Sequence, residues 1–187
     1  MKAGWEVKPL GEVCEYARGL TYKKSDEIEH STKRVLRANN IDREASALDY
    51  SEIRYLREDF EIPSAKKVAR GSILICTASG SKSHLGKVAI VDTDQDFAFG
   101  GFMGLITPKN GLLPQFLHYT MISQAYHDFI DQNTDGANIN NLKFSQLAEF
   151  AFPIPPLEEQ KQIVAVLDAA FEGLTRAKEN AEANLQN

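Results

Sequence analysis

The segment from Phe152 to Asn187 constrains the fold most, because a proline cluster gives way abruptly to a long amphipathic run. Pro153, Pro155 and Pro156 hold φ at about −65° and favour extended geometry in the residues before them, so no helix can pass through the cluster. A helix is therefore predicted to begin at Leu157 and to continue towards the end of the sequence.

The apolar residues of this predicted helix are spaced alternately by four and three positions, which is the a/d pattern of a coiled coil. The candidate helix-interface residues are Ile163, Leu167, Ala170, Leu174, Ala177 and Ala181. A helix over residues 157–187 would be roughly 46 Å long, which is more than a small domain could cover. Packing on its own domain is one alternative, but the alanine-rich far end favours close approach by another helix.

The junction also carries a resemblance to a known family. The run PIPPLEEQKQI, from Pro153 to Ile163, resembles the signature that ends a target recognition domain and opens the conserved spacer helix in DNA specificity subunits of type I restriction-modification enzymes. The beginning of the chain is similar to the same family, with Trp5, the Leu-Gly-acid-Val step at residues 10–13, and Gly19. The run LAEFAFPIPP, at residues 147–156, fits as well.

The resemblance implies an α/β target recognition domain that reads one half-site of double-stranded DNA and a spacer helix that docks methyltransferase subunits. Restriction subunits would join the same complex. It further implies that this chain is a non-catalytic specificity subunit and binds no cofactor itself. S-adenosylmethionine, ATP and Mg²⁺ would be held by the partner subunits.

Length and composition agree with one domain and an appendage. The chain has 187 residues, enough to bury a sizeable core. Its only cysteines are Cys14 and Cys76, which suits the reducing cytoplasm. No apolar run approaches membrane-spanning length and the N-terminus lacks the apolar core of a signal peptide, so a soluble protein is expected. We predict an α/β head, residues 1–152, with a small mixed sheet and packed helices, followed by the coiled-coil helix, residues 153–187.

The net charge of −5 argues by itself against a stand-alone nucleic-acid binder. The distribution of charge points the other way, because Ser64 to Val91 contains no acidic residue. Two β-rich runs, Ser72–Thr77 and Lys87–Val91, flank a loop of small and hydroxylic residues there, so the stretch is predicted to form a ribbon. Its backbone amides and hydroxyls would be able to approach a phosphate backbone closely.

The candidate DNA-contacting residues are basic, hydroxylic or amide side chains in predicted loops and turns. They are Arg18, Lys23, Lys24, Asn39, Asn40, Thr77, Ser79, Ser81, Lys82, Ser83, His84, Lys87, Asn138, Asn140, Asn141 and Lys143. Each has a structural alternative: charged loops are commonly just solvated, and asparagines favour turns. Arg34 to Asp42, for example, is predicted to be a strand that ends in a turn at Asn39 and Asn40.

No catalytic or metal-binding motif emerges. Gly80 and Gly86 are separated by five residues instead of the four of a phosphate-binding P-loop, and Lys87 is followed by valine. The apolar run Phe97–Thr107 is predicted to be a core strand with a close approach at its two adjacent glycines. The stretch after Pro114 has the spacing of one amphipathic helix. His118 and His127 have no Cys or carboxylate at ligand spacing, so they predict no metal site.

One departure from the resemblance concerns domain number. Typical members of the family have two recognition domains and two helices, whereas this sequence has no internal repeat. It is expected to be either an N-terminal fragment or a natural half-subunit. If it is a half-subunit, two copies would pair their helices antiparallel and form a homodimer. A coiled-coil scaffold that does not read DNA is the alternative function, and a small nucleotide-binding enzyme ranks below it.

Overall fold

The computed structural model describes residues 4–81, 84–134 and 141–185. Within these residues the chain forms two four-stranded sheets, a two-stranded sheet of Glu6–Pro9 and Ala151–Ile154, and several helices. The strands are β1 (Glu6–Pro9), β2 (Cys14–Arg18), β3 (Glu27–Ile28), β4 (Lys33–Leu36), β5 (Arg54–Leu56), β6 (Ile73–Cys76), β7 (Val88–Ile90), β8 (Phe97–Phe99), β9 (Met103–Pro108) and β10 (Ala151–Ile154). The α-helices are α1 (Leu10–Val13), α2 (Pro114–Met121), α3 (Gln124–Thr134), α4 (Phe144–Leu147) and α5 (Leu157–Leu185). The predicted α/β class with a long C-terminal helix is confirmed.

The first sheet has the order β2-β9-β6-β7, and all its pairs are antiparallel. The predicted ribbon is confirmed as β6 and β7, in which Ile73 pairs with Ile90. Every residue of β6 is buried, and its side chains alternate between two core clusters, with Ile73 and Ile75 in one and Leu74 and Cys76 in the other. An unbroken apolar run therefore marks a strand covered on both faces.

The second sheet has the order β3-β5-β4-β8, and β4 runs parallel to β8. The strand predicted near Arg34 is confirmed as β4, and a 3-10 turn at Ala38–Asn40 follows it. The single core strand predicted over Phe97–Thr107 is wrong. Residues 100–102 form a turn that separates β8 in the second sheet from β9 in the first, so the run links the two sheets.

The single helix predicted after Pro114 is also divided in two. The helical conformation of α2 ends at Ile122, where φ is −111° and ψ is 3°, and α3 begins at Gln124. The Ser123 hydroxyl group donates to the Thr120 carbonyl group at 2.7 Å, which closes the last turn of α2. The break divides the predicted helix at residues 122–123.

Helix α5 begins at Leu157, as the proline cluster predicts, and its first turns are anchored on the head. Gln160 is completely buried: its Oε1 accepts from the Leu113 N–H group at 2.9 Å, and its Nε2 donates to the carbonyls of Gly111 (2.8 Å) and Pro155 (2.9 Å). Next to it, the Trp5 indole donates to Glu159 at 2.8 Å. These contacts attach the base of the helix to Trp5 and to the loop before α2.

Further along α5, the Tyr119 hydroxyl group donates to Asp168 at 2.5 Å, and the Tyr119 ring stacks on Phe171 with centroids 5.5 Å apart. Burial, together with the Asp168 carboxylate, raises the pKa of Tyr119 to about 12. Beyond these contacts the helix is exposed, and Leu174 retains 65% of its side-chain accessibility.

The predicted helix interface is therefore divided between two environments. Ile163 packs against the core cluster of the head and Leu167 is half-buried, so Ile163 does not belong to a free coiled-coil surface. Ala170, Leu174, Ala177 and Ala181 are exposed, and Val166, 69% exposed, lies beside them. In the described part of the chain, no helix combines the length and apolar character needed to cross a bilayer.

Candidate nucleic-acid interface

The turn between β8 and β9 presents an exposed aromatic side chain on a rigid backbone. The Phe102 carbonyl accepts hydrogen bonds from the backbone N–H groups of Thr77 (2.9 Å) and Ala78 (3.1 Å), and from the Thr77 hydroxyl group (3.1 Å). Met103 N–H also donates to the Gly100 carbonyl at 2.8 Å, across the turn. The Phe102 side chain is nevertheless 72% exposed. Sequence reasoning missed this residue, and the Gly100-Gly101 pair before it was the available signal for a turn.

Two further segments meet this turn. After β2, Gly19 N–H donates to the Met103 carbonyl at 3.0 Å and Leu20 N–H donates to the Phe99 carbonyl at 2.7 Å. A Cβ atom at Gly19 would lie 1.8 Å from the Gly100 carbonyl oxygen, so only glycine permits this close approach. The second segment is residues 141–142: Leu142 N–H donates to the Thr77 carbonyl at 2.7 Å, and Asn141 forms a β-bridge with Ala78.

These contacts bring together predicted DNA-contacting residues that are far apart in sequence. The Arg18 guanidinium group lies 5.2 Å from the centre of the Phe144 ring, next to Lys143. We call the resulting surface the tip face and define it as Arg18, Lys24, Asn39, Phe102, Asn141 and Lys143. Arg18, Lys24 and Lys143 are exposed, and they form no ion pair with any described residue.

A cleft of about 450 Å³ opens on the tip face. Its lining includes Tyr22, Lys24, Glu27, Arg37, Asn39 and Phe102. The Arg37 Nε atom is buried and has no hydrogen-bond partner among the described residues. Asn39 is exposed, and its amide makes only a long contact of 3.4 Å with Glu52. The cleft thus combines an aromatic rim with hydrogen-bond donors and acceptors.

Two of the predicted contacts are structural instead. Asn40 is completely buried: its Oδ1 accepts from the Arg37 N–H group at 2.8 Å, and its Nδ2 donates to the carbonyls of Asp49 (2.8 Å) and Glu52 (3.3 Å). Thr77 is 8% exposed, and its hydroxyl group is committed to Phe102. Neither side chain has the accessibility that a contact with DNA requires.

Two basic residues of the stretch from Ser64 to Val91 form ion pairs in the folded chain. Lys67 pairs with Asp96 at 2.7 Å, and Arg70 pairs with Asp94 at 2.5 Å. Lys87 is half-buried and donates to the Ile41 carbonyl at 2.9 Å. A stretch without acidic residues in the sequence therefore has acidic neighbours in space at Lys67 and Arg70, and the DNA contact of the ribbon stays a prediction.

Lys87 also lies away from the cleft of the tip face. It lines a second cavity, of about 710 Å³, with Arg43, Met121, His127 and Phe171. Burial, more than any nearby charge, lowers the pKa of Lys87. Burial likewise lowers the pKa of His84, which is half-buried.

The remaining predicted contacts fall into two groups. Lys23 is exposed beside Lys24, Ser81 is exposed, and the Ser79 hydroxyl group accepts from the Ser81 N–H group at 3.1 Å. Lys82, Ser83, Asn138 and Asn140 lie outside the described residues. No group of three or more His, Cys, Asp or Glu side chains that could hold a metal ion occurs among the residues that the structure describes.

Comparisons with known proteins place this architecture in a family. Residues 2–185 match the family described as type I restriction modification DNA specificity domain. The chain is 32% identical over 182 residues to the EcoKI specificity subunit of Escherichia coli K12 and 30% identical over 182 residues to the StySPI specificity subunit of Salmonella potsdam. In both comparisons the alignment covers 96% of this chain and 39% of the relative, so the chain spans well under half of their length.

A solved structure shows the same fold. The chain superimposes with a TM-score of 0.74 and 22% identity on a protein from a study of complex assembly and conformational transition in the type I R-M system, covering 100% of this chain and 44% of that one. The alternative of a coiled-coil scaffold that does not read DNA is not favoured by these similarities. Since the family match extends over nearly the whole chain, this protein belongs to the family of type I restriction-modification DNA specificity domains.

Proposed function

We propose that the head, residues 1–152, reads one half-site of double-stranded DNA through the tip face. The observation that carries this proposal is a group of three exposed cations, Arg18, Lys24 and Lys143, that form no ion pair with a described residue and belong to segments in contact with the turn of the exposed Phe102. Cations of this kind position a protein on the phosphate backbone, whereas amides such as Asn39 and Asn141 are suited to base edges. Of the predicted residues, the proposed DNA-contacting set keeps Arg18, Lys24, Asn39, Asn141 and Lys143 and omits Asn40, Thr77 and Lys87.

The spacer helix, residues 153–187, would hold the head at a fixed position within a methylation and restriction complex. We infer that methyltransferase and restriction subunits supply the catalysis, and that this chain contributes recognition without a reaction of its own. The support is family membership, together with the division of α5 into an anchored base and an exposed far part.

The test of DNA reading is to co-express the chain with the methyltransferase subunit encoded beside it and to sequence the modified adenines in random DNA. A single bipartite motif is the expected result. Association of the two subunits without any sequence preference in methylation would refute DNA reading by this chain.

The tip face itself is tested by the salt dependence of binding to the motif. Replacing Arg18, Lys24 or Lys143 by alanine should each weaken binding and lower the slope of log K against log salt by about 0.9, the value for one lost phosphate contact. Arg70→Ala is the matched control, because Arg70 is equally cationic and exposed but is paired with Asp94. If Arg70→Ala lowers the slope as much as the three tip variants do, the tip face is not the interface.

We further propose that the exposed stripe of α5 pairs with a second copy of the helix, antiparallel to the first. Val166 and Leu174 are 69% and 65% exposed, and the small side chains of Ala170, Ala177 and Ala181 permit close approach. Two heads at opposite ends of such a pair would read an inverted repeat. Light scattering after size-exclusion chromatography should therefore give a dimer at tens of micromolar.

Leu174→Asp should convert that dimer to a monomer, because it places a charge in the apolar stripe. Thr175→Asp is the control, since the neighbouring residue points to a different side of the helix. A wild-type chain that is strictly monomeric would exclude the homodimer while leaving DNA reading to be judged by the methylation assay.

A further inference from the structure

Phe102 is an exposed aromatic residue with no structural task of its own. Phe97, Phe99, Phe150 and Phe152 are at most 4% exposed, whereas Phe102 is 72% exposed. The hydrogen bonds that hold its turn all use the Phe102 backbone carbonyl or neighbouring backbone groups, and none of them uses the ring. The fold thus fixes the position of this ring without packing it.

The shape of the turn favours insertion of this ring into a groove. Gly100 and Gly101 precede Phe102 and contribute no side chain, so the tip is narrow and its backbone can approach a surface closely. Lys24 lines the same cleft as Phe102, and Arg18 is exposed next to Gly19, which is hydrogen-bonded to Met103 after the turn; both cations match a polyanion. An apolar tip with cations nearby fits a nucleic-acid groove better than it fits another protein surface.

Arg37 adds a further cation to the adjoining cleft. It lines the cleft with Lys24, and Glu27 belongs to the same lining. A base edge or phosphate group that enters the cleft would meet these charged groups. The cleft lies directly beside Phe102, so both residues would meet the same short stretch of DNA.

We propose that Phe102 determines specificity at one position of the half-site by contacting the C5 methyl group of a thymine in the major groove. Among the base edges of unmodified DNA that the major groove displays, the thymine methyl is the apolar group that such a ring can select. Contact with it distinguishes an A·T pair at that position from the other pairs. This inference rests on the proposed function, because it requires that the tip face reads DNA.

The test begins with the bipartite motif from the methylation assay and replaces each thymine of one half-site, in turn, by deoxyuridine. Affinity is measured by fluorescence anisotropy with the chain in complex with its methyltransferase subunit. At one position the wild-type protein should lose affinity about fourfold, which is the contribution of one buried methyl-sized group. Phe102→Ala should bind the thymine motif about tenfold more weakly and be insensitive to deoxyuridine at that position.

Two controls keep the result interpretable. Phe102→Ala should unfold at the wild-type temperature, because the ring is exposed, and Val7→Ala, which removes another half-exposed apolar side chain, should keep wild-type affinity and the wild-type response to deoxyuridine. If no thymine position responds, or if Phe102→Ala responds as the wild type does, the methyl contact is refuted. The same motif can carry 2-aminopurine, a base whose fluorescence rises when it is unstacked. A rise in this fluorescence without a response to deoxyuridine would likewise overturn the methyl contact and assign the ring to unstacking of bases.

Failure of this inference is distinguishable from failure of the proposed function. Specific binding to the motif without a thymine response removes only the role of Phe102. Absence of any motif-specific binding or methylation removes the proposed function itself.

Discussion

Replacement of Gln160 by methionine should destabilise the protein strongly, although methionine is similar in size and favours a helix. The side chain is completely buried in the first turns of α5 and joins three backbone groups: Leu113 N–H at 2.9 Å, Gly111 carbonyl at 2.8 Å and Pro155 carbonyl at 2.9 Å. The first two groups belong to the loop before α2 and the third to the proline cluster. One amide thus connects two segments that no regular secondary structure joins.

The expected loss of stability follows from the groups left without partners. A hydrogen bond contributes about 0.5–1.5 kcal/mol net, and each buried backbone group left unpaired costs about 1–3 kcal/mol. Solvent can reach some of the stranded groups after relaxation, and the thioether regains part of the loss by burial. We therefore expect the free energy of unfolding to fall by about 3 kcal/mol, which is at the upper end of ordinary single substitutions.

Urea denaturation followed by circular dichroism measures this change, and an unchanged m-value would show that the unfolded state is the same. A loss of this size corresponds to a melting temperature lower by about 6–12 °C for a chain of this length. Gln162→Met is the matched control, because Gln162 is exposed on the same helix and should change stability by less than about 0.5 kcal/mol. A loss below about 1 kcal/mol for Gln160→Met would refute the assignment of Gln160 as a structural clamp.

Two further predictions concern the head. Burial, only partly offset by the hydrogen bond to the Ser46 carbonyl at 2.9 Å, lowers the pKa of His118 from its ordinary value of 6.5, so the unfolded chain binds the proton more tightly. The free energy of unfolding should thus have its full value above pH 6.5 and decrease below it. Between pH 7.5 and 5.5, His118→Gln should lose less of this free energy than the wild type does. Equal decreases of the urea midpoint in the two proteins would contradict this reasoning. Gly19→Ala should lower the free energy of unfolding by about 3 kcal/mol or more, because its Cβ atom would lie 1.8 Å from the rigid Gly100 carbonyl oxygen. Gly80→Ala is the control: a Cβ atom there would have nothing within 4 Å, so the same denaturation assay should show almost no change.

The start of α5 and the strands β6 and β7 were predictable because local chemistry determines them. Three prolines exclude a helix before Leu157, and the apolar runs at β6 and β7 are flanked by turn residues. The error at residues 97–107 has a physical cause as well. Both β8 and β9 are buried strands, so apolar character continues through the run and conceals the point where the chain leaves one sheet for the other.

The tip face was predictable only in part, because it depends on contacts between distant segments. Arg18, Lys24 and Lys143 could be proposed from their residue type, but that they form no ion pair with a described residue is a property of the fold. Lys67 and Arg70, by contrast, do form ion pairs. Their partners, Asp96 and Asp94, lie after the acid-free stretch in the sequence. Local composition therefore overstated the basic character of the ribbon. It also did not indicate that Phe102, whose carbonyl accepts from Thr77 and Ala78 after β6, would be exposed.

The anchoring of α5 connects recognition with assembly. The helix is held at Glu159 and Gln160, and again at Asp168 and Phe171, so the two groups of contacts are separated by roughly 15 Å along its axis. Two separated attachments fix the direction of a rod, whereas one would let it pivot. The exposed stripe therefore has a fixed orientation relative to the tip face, and any helix that pairs with it is placed at a defined angle to the DNA that we propose the tip face binds. Loosening the Tyr119 contacts should consequently disturb the spacing between half-sites while leaving the base preference within each half-site unchanged.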